Sequence, residues 1–294
     1  MSQVTPLRLH CTLSPDAASE PEGGLVPYAR NGLIRLYYED TGTGVPVLLI
    51  NGQGMTLDSS WRTTEVLSRS FRVLAFDNRD TGRSTFTPLP YSVLQMADDA
   101  VAVLDAADAE SAHVYGVSLG GIVALDLALR YPDRVRGLVL GATTPGGPTA
   151  IPHDPLALTF FARVGAMAPE EAEWAAVPYT YGIGTRRDHG ERIAEDIARR
   201  LASRPDNLPM ATLAYIHQVA VAATHNRMLS IAGISAPTLI VHGAEDAIMS
   251  PENARIMAST IPGAELQLWP DAGHCYVTDE PRADEEIATF LLRH

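Results

Sequence analysis

The stretch HVYGVSLGGIVALDLALRYPDRVRGLVLG, residues 113–141, contains the pattern that decides the fold. A short apolar run ends at GVSLG, residues 116–120, and a helix-like apolar segment, residues 119–131, follows at once. Glycines on both sides of a serine at a strand-to-helix junction match the G-x-S-x-G turn, which exposes the serine hydroxyl. An ordinary glycine-rich turn would show the same letters. The interpretation of Ser118 therefore depends on the rest of the chain.

Strand-like runs recur and alternate with helix-like segments. The strands are predicted at residues 32–40, 46–50, 72–76, 112–115, 135–140, 237–241 and 265–269. Helices are predicted at residues 91–107, 119–131 and 281–292. This alternation predicts the α/β class: a mostly parallel central sheet flanked by helices on both sides.

The alternation is interrupted between residues 146 and 234, where the patterns are helical only. Helices are predicted there at residues 155–167, 187–203 and 208–224. Such an insertion predicts a cap over the carboxyl ends of the strands, where open α/β sheets bind ligands. We therefore predict an N-terminal extension, an α/β core in two segments and a helical cap, at residues 1–24, 25–145 with 235–294, and 146–234 respectively.

Composition excludes several classes of function. The net charge of −13 disfavours nucleic acid and anionic membranes as partners. The two cysteines, Cys11 and Cys275, are far apart, so neither a disulfide framework nor a structural zinc site is expected. No segment has the length of a secretory signal or a membrane span. We expect a cytoplasmic protein, monomeric or homodimeric, that acts on a small molecule.

Two later loops supply the partners that a nucleophilic serine needs, namely a base and an acid that orients it. The strand at 237–241 runs into HGAED, which ends at Asp246, and the strand at 265–269 runs into PDAGH, which ends at His274. Serine, acid and histidine thus follow three strands in the order expected for this turn. We predict a catalytic triad of Ser118, Asp246 and His274.

Other titratable residues are weaker candidates. Glu245 is the second choice for the acid. It precedes Asp246 by one residue on a tight turn, so its side chain is expected to point in a different direction. Asp271 is expected to shape its own loop, and His113 and His242, at strand edges, are interpreted as structural. The remaining cap-region histidines are expected to be exposed or to line a pocket: His153, His189, His217 and His225.

An oxyanion hole needs two N–H donors. The backbone N–H groups of Gln53, in the glycine-rich loop NGQGM at 51–55, and of Leu119 are our candidates, although the loop could also be a simple flexible turn. Apolar side chains of this loop and the cap predict a pocket for a medium-sized apolar or aromatic substrate. These residues, which could instead pack the cap against itself, are Met55, Phe160, Phe161, Trp174, Tyr179, Tyr181 and Tyr215.

From about residue 26 onward, the chain resembles the α/β-hydrolase superfamily. The motifs that carry the resemblance are NGQG (51–54), FDNRDTGRS (76–84), GVSLGG (116–121), HGAED (242–246) and DAGH (271–274). The resemblance implies Ser118, Asp246 and His274 as the triad, with no metal or organic cofactor. FDNRDTGRS is similar to bacterial esterases of the aclacinomycin methylesterase type, which act on hydrophobic small molecules. Asn51 departs from the histidine that many members carry there.

The predicted reaction is hydrolysis of a carboxylic ester, lactone or thioester through an acyl-enzyme on Ser118. Serine at this turn argues against the dehalogenases and epoxide hydrolases of the superfamily, which use aspartate. Meta-cleavage C–C hydrolases usually have tryptophan after the histidine, where this chain has Cys275. That reaction, cofactor-free perhydrolase or haloperoxidase chemistry, and a receptor with little turnover remain alternatives.

Overall fold

A central sheet of eight strands organises the described part of the chain. The computed structural model describes residues 28–147, 150, 151, 154–161, 163, 164, 167–203 and 208–294, except the side chains of 158 and 208–211. The strands are Tyr28–Asn31 (β1), Ile34–Gly42 (β2), Pro46–Ile50 (β3), Arg72–Phe76 (β4), Ala112–Val117 (β5), Val135–Gly141 (β6), Thr238–Gly243 (β7) and Glu265–Trp269 (β8). Their order is β1-β2-β4-β3-β5-β6-β7-β8.

The described helices lie between these strands and after the last of them. They are Trp61–Leu67 (α1), Val93–Ala106 (α2), Leu119–Arg130 (α3), Pro155–Phe161 (α4), Pro169–Thr180 (α5), Ile183–Asp188 (α6), Gly190–Ala202 (α7), Leu208–Thr224 (α8), Pro251–Thr260 (α9), Tyr276–Asp279 (α10) and Ala283–Leu291 (α11). We call α4–α8, which lie between β6 and β7, the cap. Within the described ranges, no helix is both long and apolar enough to span a bilayer.

The apolar strands divide their side chains between two cores. In β3, Leu48 and Ile50 join the core formed with α2, α3 and α9. Val47 and Leu49 face the opposite side, where α1 and α11 pack. Successive side chains of a strand point to opposite faces, so a strand that is apolar throughout must be covered on both. The predicted α/β fold class is confirmed.

Parallel pairing determines where the functional loops lie. Strands β3 to β8 pair in parallel, so their carboxyl ends share one edge of the sheet. The loops that leave β3, β5, β7 and β8 carry the glycine-rich segment, Ser118, Asp246 and His274. Segments that are far apart in sequence therefore meet at one edge.

Several elements differ from the sequence predictions. The strand predicted at 32–40 begins at Ile34, and an additional strand, β1, pairs with it as an antiparallel hairpin. The helix predicted at 187–203 is divided at His189, where φ is −136°. The predicted extension, residues 1–24, and His153 lie outside the described residues.

A buried carboxyl makes the stability of the fold depend on pH. Asp284 of α11 is 3% exposed, accepts one hydrogen bond from Thr63 Oγ1 at 2.9 Å and lies near Tyr115 and Tyr276. Burial raises the pKa of Asp284 from its ordinary 3.8 to about 7. At pH values between these two pKa values, Asp284 is ionised in the unfolded chain and still protonated in the folded chain. Stability should therefore fall as the pH rises from about 4 to 7.

We expect Asp284→Asn to remove this loss. The amide can still accept from Thr63 and cannot ionise, so the variant should be more stable than the parent above pH 7, by up to about 4 kcal/mol. The difference should shrink towards pH 4. Urea unfolding at both pH values measures it, with Asp133→Asn at an exposed position as the control. An equal effect at both pH values would contradict this origin.

Candidate active site

Ser118 occupies a strained turn between β5 and α3. Its φ of 56° and ψ of −120° lie outside the backbone regions that residues other than glycine favour. The turn is held by the Ser118 N–H, which donates to the Gly141 carbonyl at 2.8 Å, and by Thr143 Oγ1, which donates to the Ser118 carbonyl at 2.7 Å. Strain of this kind persists only where surrounding contacts enforce it, and it marks functional turns.

The two flanking glycines are required by close packing. A Cβ on Gly116 would overlap the carbonyl group of Gly120, and one on Gly120 would overlap the carbonyl oxygen of Ile50. The start of α3 thus lies directly against the ends of β3 and β5. Any side chain at either position would push the helix away and displace Ser118.

Asp246 and His274 meet at the ends of β7 and β8. His274 Nδ1 lies 2.8 Å from Asp246 Oδ2, a geometry in which the ring donates its N–H to the carboxylate. Glu245, the second-choice acid, turns away, and its Oε2 accepts the Ile183 N–H at 2.6 Å. Of the two neighbouring acids, Asp246 is therefore the one in contact with His274.

The Asp246 carboxylate is held on all sides. Oδ1 accepts the backbone N–H groups of Ile248 and Met249, both at 2.8 Å, and Oδ2 also lies 3.0 Å from His242 Nε2. Burial by itself would raise the pKa of Asp246, but His274 and His242 outweigh burial and lower the pKa well below its usual range. The carboxylate is therefore charged at all physiological pH values.

His242 is a contact that the sequence analysis did not foresee, because a histidine at a strand end was interpreted as structural. The ring is fully buried, and Nε2 lies 2.8 Å from the Met249 carbonyl oxygen, so Nε2 carries a proton. That proton is shared with Asp246. The four-residue spacing within HGAED was the available signal, since a tight turn returns the chain to its starting strand.

The described side chains do not form a hydrogen bond between His274 and the Ser118 hydroxyl. Both lie at the same sheet edge, and each can rotate about its side-chain bonds. Catalytic hydrogen bonds are often loose before substrate binds and shorten in the complex. The structure thus shows the Asp246–His274 pair and the serine turn at one sheet edge.

The glycine-rich segment, residues 51–55, passes beside Ser118, and we call it the oxyanion loop. A Cβ built on Gly52 would lie 3.3 Å from Ser118 Cβ and 3.8 Å from its Oγ. Leu119 is the first residue of α3, and the first N–H groups of a helix have no partner within it. The backbone at Gly52 and at Leu119 therefore lies beside the serine, where the sequence predicts an oxyanion hole.

Asn51 and the segment FDNRDTGRS shape this loop. Asn51 Nδ2 donates to the Thr56 carbonyl at 3.1 Å, and Asn78 Nδ2 donates to the Asn51 carbonyl at 3.0 Å. Asp77 accepts the N–H groups of Leu57, at 2.7 Å, and Arg83, at 2.9 Å. The buried Asn51 amide thus braces this turn.

Five of the predicted pocket residues lie in the oxyanion loop or in the aromatic group that contacts it: Met55, Phe160, Phe161, Tyr179 and Tyr215. Phe160 stacks on Tyr179, with ring centroids 5.1 Å apart, and contacts Phe161 edge-on at 5.0 Å. Tyr215 links these rings to the oxyanion loop, since its hydroxyl lies 3.4 Å from the Phe161 carbonyl oxygen and interacts with the Gln53 side chain. Met55, in the same loop, is half-buried.

Two of the aromatic residues lie elsewhere. Tyr181 is 2% exposed, packs in the cap with Ile193 and Ile197, and its hydroxyl lies 3.1 Å from Arg200. Trp174 is 47% exposed. These contacts give Tyr181 a packing role and leave Trp174 at the surface.

Two of the cap-region histidines contact the core, whereas the His189 side chain is 45% exposed and its Nδ1 lies 3.5 Å from Glu191 Oε1. His217 Nδ1 lies 3.1 Å from Asp80 Oδ2, and buried His225 lies beside Asp126. Across the described ranges, no three His, Cys, Asp or Glu side chains come together as metal ligands.

Comparison with known proteins gives the family. The model of the alpha/beta hydrolase fold matches residues 45–281. The proposed carbamate hydrolase RutD of Azorhizobium caulinodans is 30% identical, covering 89% of this chain and 96% of its own. The proposed non-heme bromoperoxidase BpoC of Mycobacterium tuberculosis is 28% identical, and the match covers 89% of this chain and 97% of BpoC.

A solved structure agrees with these sequence matches. The thermophilic esterase of Thermogutta terrifontis is 30% identical and superposes with a TM-score of 0.74 over 90% of this chain and 96% of its own. The strand order, the serine turn and the family match all lead to one assignment. The chain is an enzyme that belongs to the α/β-hydrolase superfamily.

Proposed function

We propose that the protein is a serine esterase that cleaves a carboxylic ester, lactone or thioester of a small to medium hydrophobic substrate. The observation that carries the proposal is the Asp246–His274 pair, with its 2.8 Å contact, at the sheet edge that also carries Ser118. Serine, histidine and aspartate, the residue types of a catalytic triad, thus lie at one edge. The Asp246 carboxylate is anionic and held in place before any substrate binds.

Each group has a role in the reaction. Ser118 Oγ attacks the acyl carbon while His274 Nε2 accepts its proton, and the N–H groups of Gln53 and Leu119 stabilise the oxyanion. The tetrahedral intermediate collapses as His274 returns the proton to the leaving alcohol. Water, deprotonated by His274, then attacks the acyl-enzyme and releases the acid. Throughout, Asp246 holds Nδ1–H and stabilises the imidazolium.

The aromatic side chains of the cap support the proposal of a hydrophobic substrate. The stacked pair of Phe160 and Tyr179 is tied to the oxyanion loop through Phe161 and Tyr215. Aromatic rings near a polar catalytic floor favour an apolar acyl or alkoxy group. The esterase of Thermogutta terrifontis, with its similar fold and sequence, is consistent with an ester.

Ester hydrolysis is tested with the purified protein on a panel of aryl and alkyl esters, lactones and carbamates. We expect hydrolysis of 4-nitrophenyl esters, with a burst of 4-nitrophenol equal to the enzyme concentration for those esters whose acyl-enzyme hydrolyses much more slowly than it forms. A fluorophosphonate should block this activity and modify the peptide that contains Ser118. The absence of hydrolysis across the ester and lactone panel would contradict the proposal.

A second candidate reaction uses the same acyl-enzyme. The similarity to BpoC, named as a non-heme bromoperoxidase, favours attack by hydrogen peroxide in place of water. The products would be a peracid and free Ser118, and the peracid then oxidises bromide. Monobromination of monochlorodimedone in acetate, peroxide and bromide measures this activity. No halogenation above that of Ser118→Ala would exclude it.

A further inference from the structure

The cap reaches the oxyanion loop through a buried glutamine on α8. Gln218 is 1% exposed, and its Oε1 accepts the Gly54 N–H at 2.7 Å. Its Nε2 donates to the Arg79 carbonyl at 3.3 Å and to Thr81 Oγ1 at 3.0 Å. A single cap side chain therefore joins two core loops, the oxyanion loop and the loop after β4.

The partners determine which way the amide points. The Gly54 N–H can only donate a hydrogen bond, and the Arg79 carbonyl can only accept one. The oxygen of Gln218 must therefore face the oxyanion loop and its nitrogen must face Arg79. Every partner is satisfied in this orientation alone, so the glutamine is fixed at both ends.

We propose that Gln218 is a positioning residue for the oxyanion hole. By holding the Gly54 N–H, it fixes the peptide next to Gln53 and keeps the Gln53 N–H directed at the substrate oxygen. This inference rests on the proposed function, in which Gln53 and Leu119 donate to the oxyanion. Donors act only when they lie about 2.7–3.1 Å from the oxyanion, so a small displacement of the loop costs rate.

Two further cap contacts lie on the same loop and just beyond it. Tyr215, three residues before Gln218 on α8, interacts with the Gln53 side chain. Thr56 Oγ1 donates to Ser203 Oγ, at the end of α7, at 2.7 Å. The cap thus contacts positions 53, 54 and 56. The position of the oxyanion loop is therefore coupled to the position of the cap.

The test compares two neighbouring residues of α8. Gln218→Met keeps the side-chain length and removes all three hydrogen bonds, whereas His217→Gln replaces the imidazole that contacts Asp80 and leaves the hydrogen bonds of Gln218 in place. We expect Gln218→Met to lower kcat on a 4-nitrophenyl ester by about 10–100-fold, with KM within threefold. His217→Gln should change kcat by less than threefold.

A transition-state analogue gives a readout that loss of packing would not change. A trifluoromethyl ketone forms a hemiketal with Ser118 whose oxyanion occupies the hole. For Gln218→Met, its Ki should rise by the same factor by which kcat/KM falls. If Gln218→Met does not fold, Gln218→Glu is the second variant: its carboxyl, kept protonated by burial, still accepts from the Gly54 N–H and donates to the Arg79 carbonyl, so kcat should stay within fivefold of the parent.

The outcomes separate this inference from the proposed function. A parent protein that is not labelled at Ser118 and hydrolyses no ester would overturn the proposed function itself. Labelling and turnover in the parent, with kcat and Ki of Gln218→Met within threefold, would overturn only the role of Gln218. Equal losses in Gln218→Met and His217→Gln would do the same, since they would show general loosening of the cap. A loss larger than fivefold in a folded Gln218→Glu would also contradict it.

Discussion

Replacing Ser118 by alanine should lower kcat on 4-nitrophenyl esters by about 10⁴–10⁶-fold and abolish covalent labelling by a fluorophosphonate. In the proposed mechanism, the Ser118 hydroxyl is the group that forms the acyl-enzyme. The remaining rate should come from the oxyanion donors and from substrate binding, which alanine leaves in place. The burst of 4-nitrophenol should disappear as well.

The position of Ser118 makes the variant informative. The residue has a positive φ, which alanine also adopts with strain, so the turn should survive and the melting temperature should change by only a few degrees. Ser259→Ala, on an exposed part of α9, is the control and should keep full activity. Persistent labelling of Ser118→Ala would show that another residue is the nucleophile.

The second large effect is expected at Asp246. Asp246→Asn should lower kcat by about 10³–10⁴-fold, because an amide can present N–H instead of an acceptor to His274 and thereby stabilises the wrong tautomer. The amide oxygen would still have to satisfy the N–H groups of Ile248 and Met249. KM should change little, since Asp246 does not contact the substrate.

Glu245→Gln is the matched control, one residue away. Its carboxylate accepts the Ile183 N–H at 2.6 Å, and a glutamine oxygen can accept the same bond. We expect a change in kcat of less than threefold. Steady-state kinetics of both variants at constant pH decide the matter, and the reverse pattern would assign the acid to Glu245.

The sequence predicted much of the core because its signals are local. Apolar runs of strand length alternate with helical patterns, and a strand that is buried on both faces needs no knowledge of its neighbours to be recognised. The turn around Ser118 is also local, since its glycines and serine lie within five residues. The hairpin of β1 and the break at His189 were missed because short elements carry little periodic signal.

The contacts around the site could not be predicted in the same way. A pattern such as HGAED contains two acids and a histidine, and the choice between Asp246 and Glu245 depends on the direction of a turn. His242 was interpreted as structural, and only the structure shows that its Nε2 lies 3.0 Å from Asp246 Oδ2. Tyr181 was predicted in the pocket, but its contacts with Arg200 and the cap apolar cluster place it in packing.

By itself, the sequence determined the α/β class and the order in which Ser118, Asp246 and His274 follow their strands, because each depends on a few adjacent residues. Only the tertiary structure decided which acid contacts His274 and which cap residue forms a hydrogen bond with the oxyanion loop. Gly54 and Gln218 are 164 residues apart, and no pattern in either segment marks the pair. Such a contact exists only once the sheet edge and the cap have been brought together by packing.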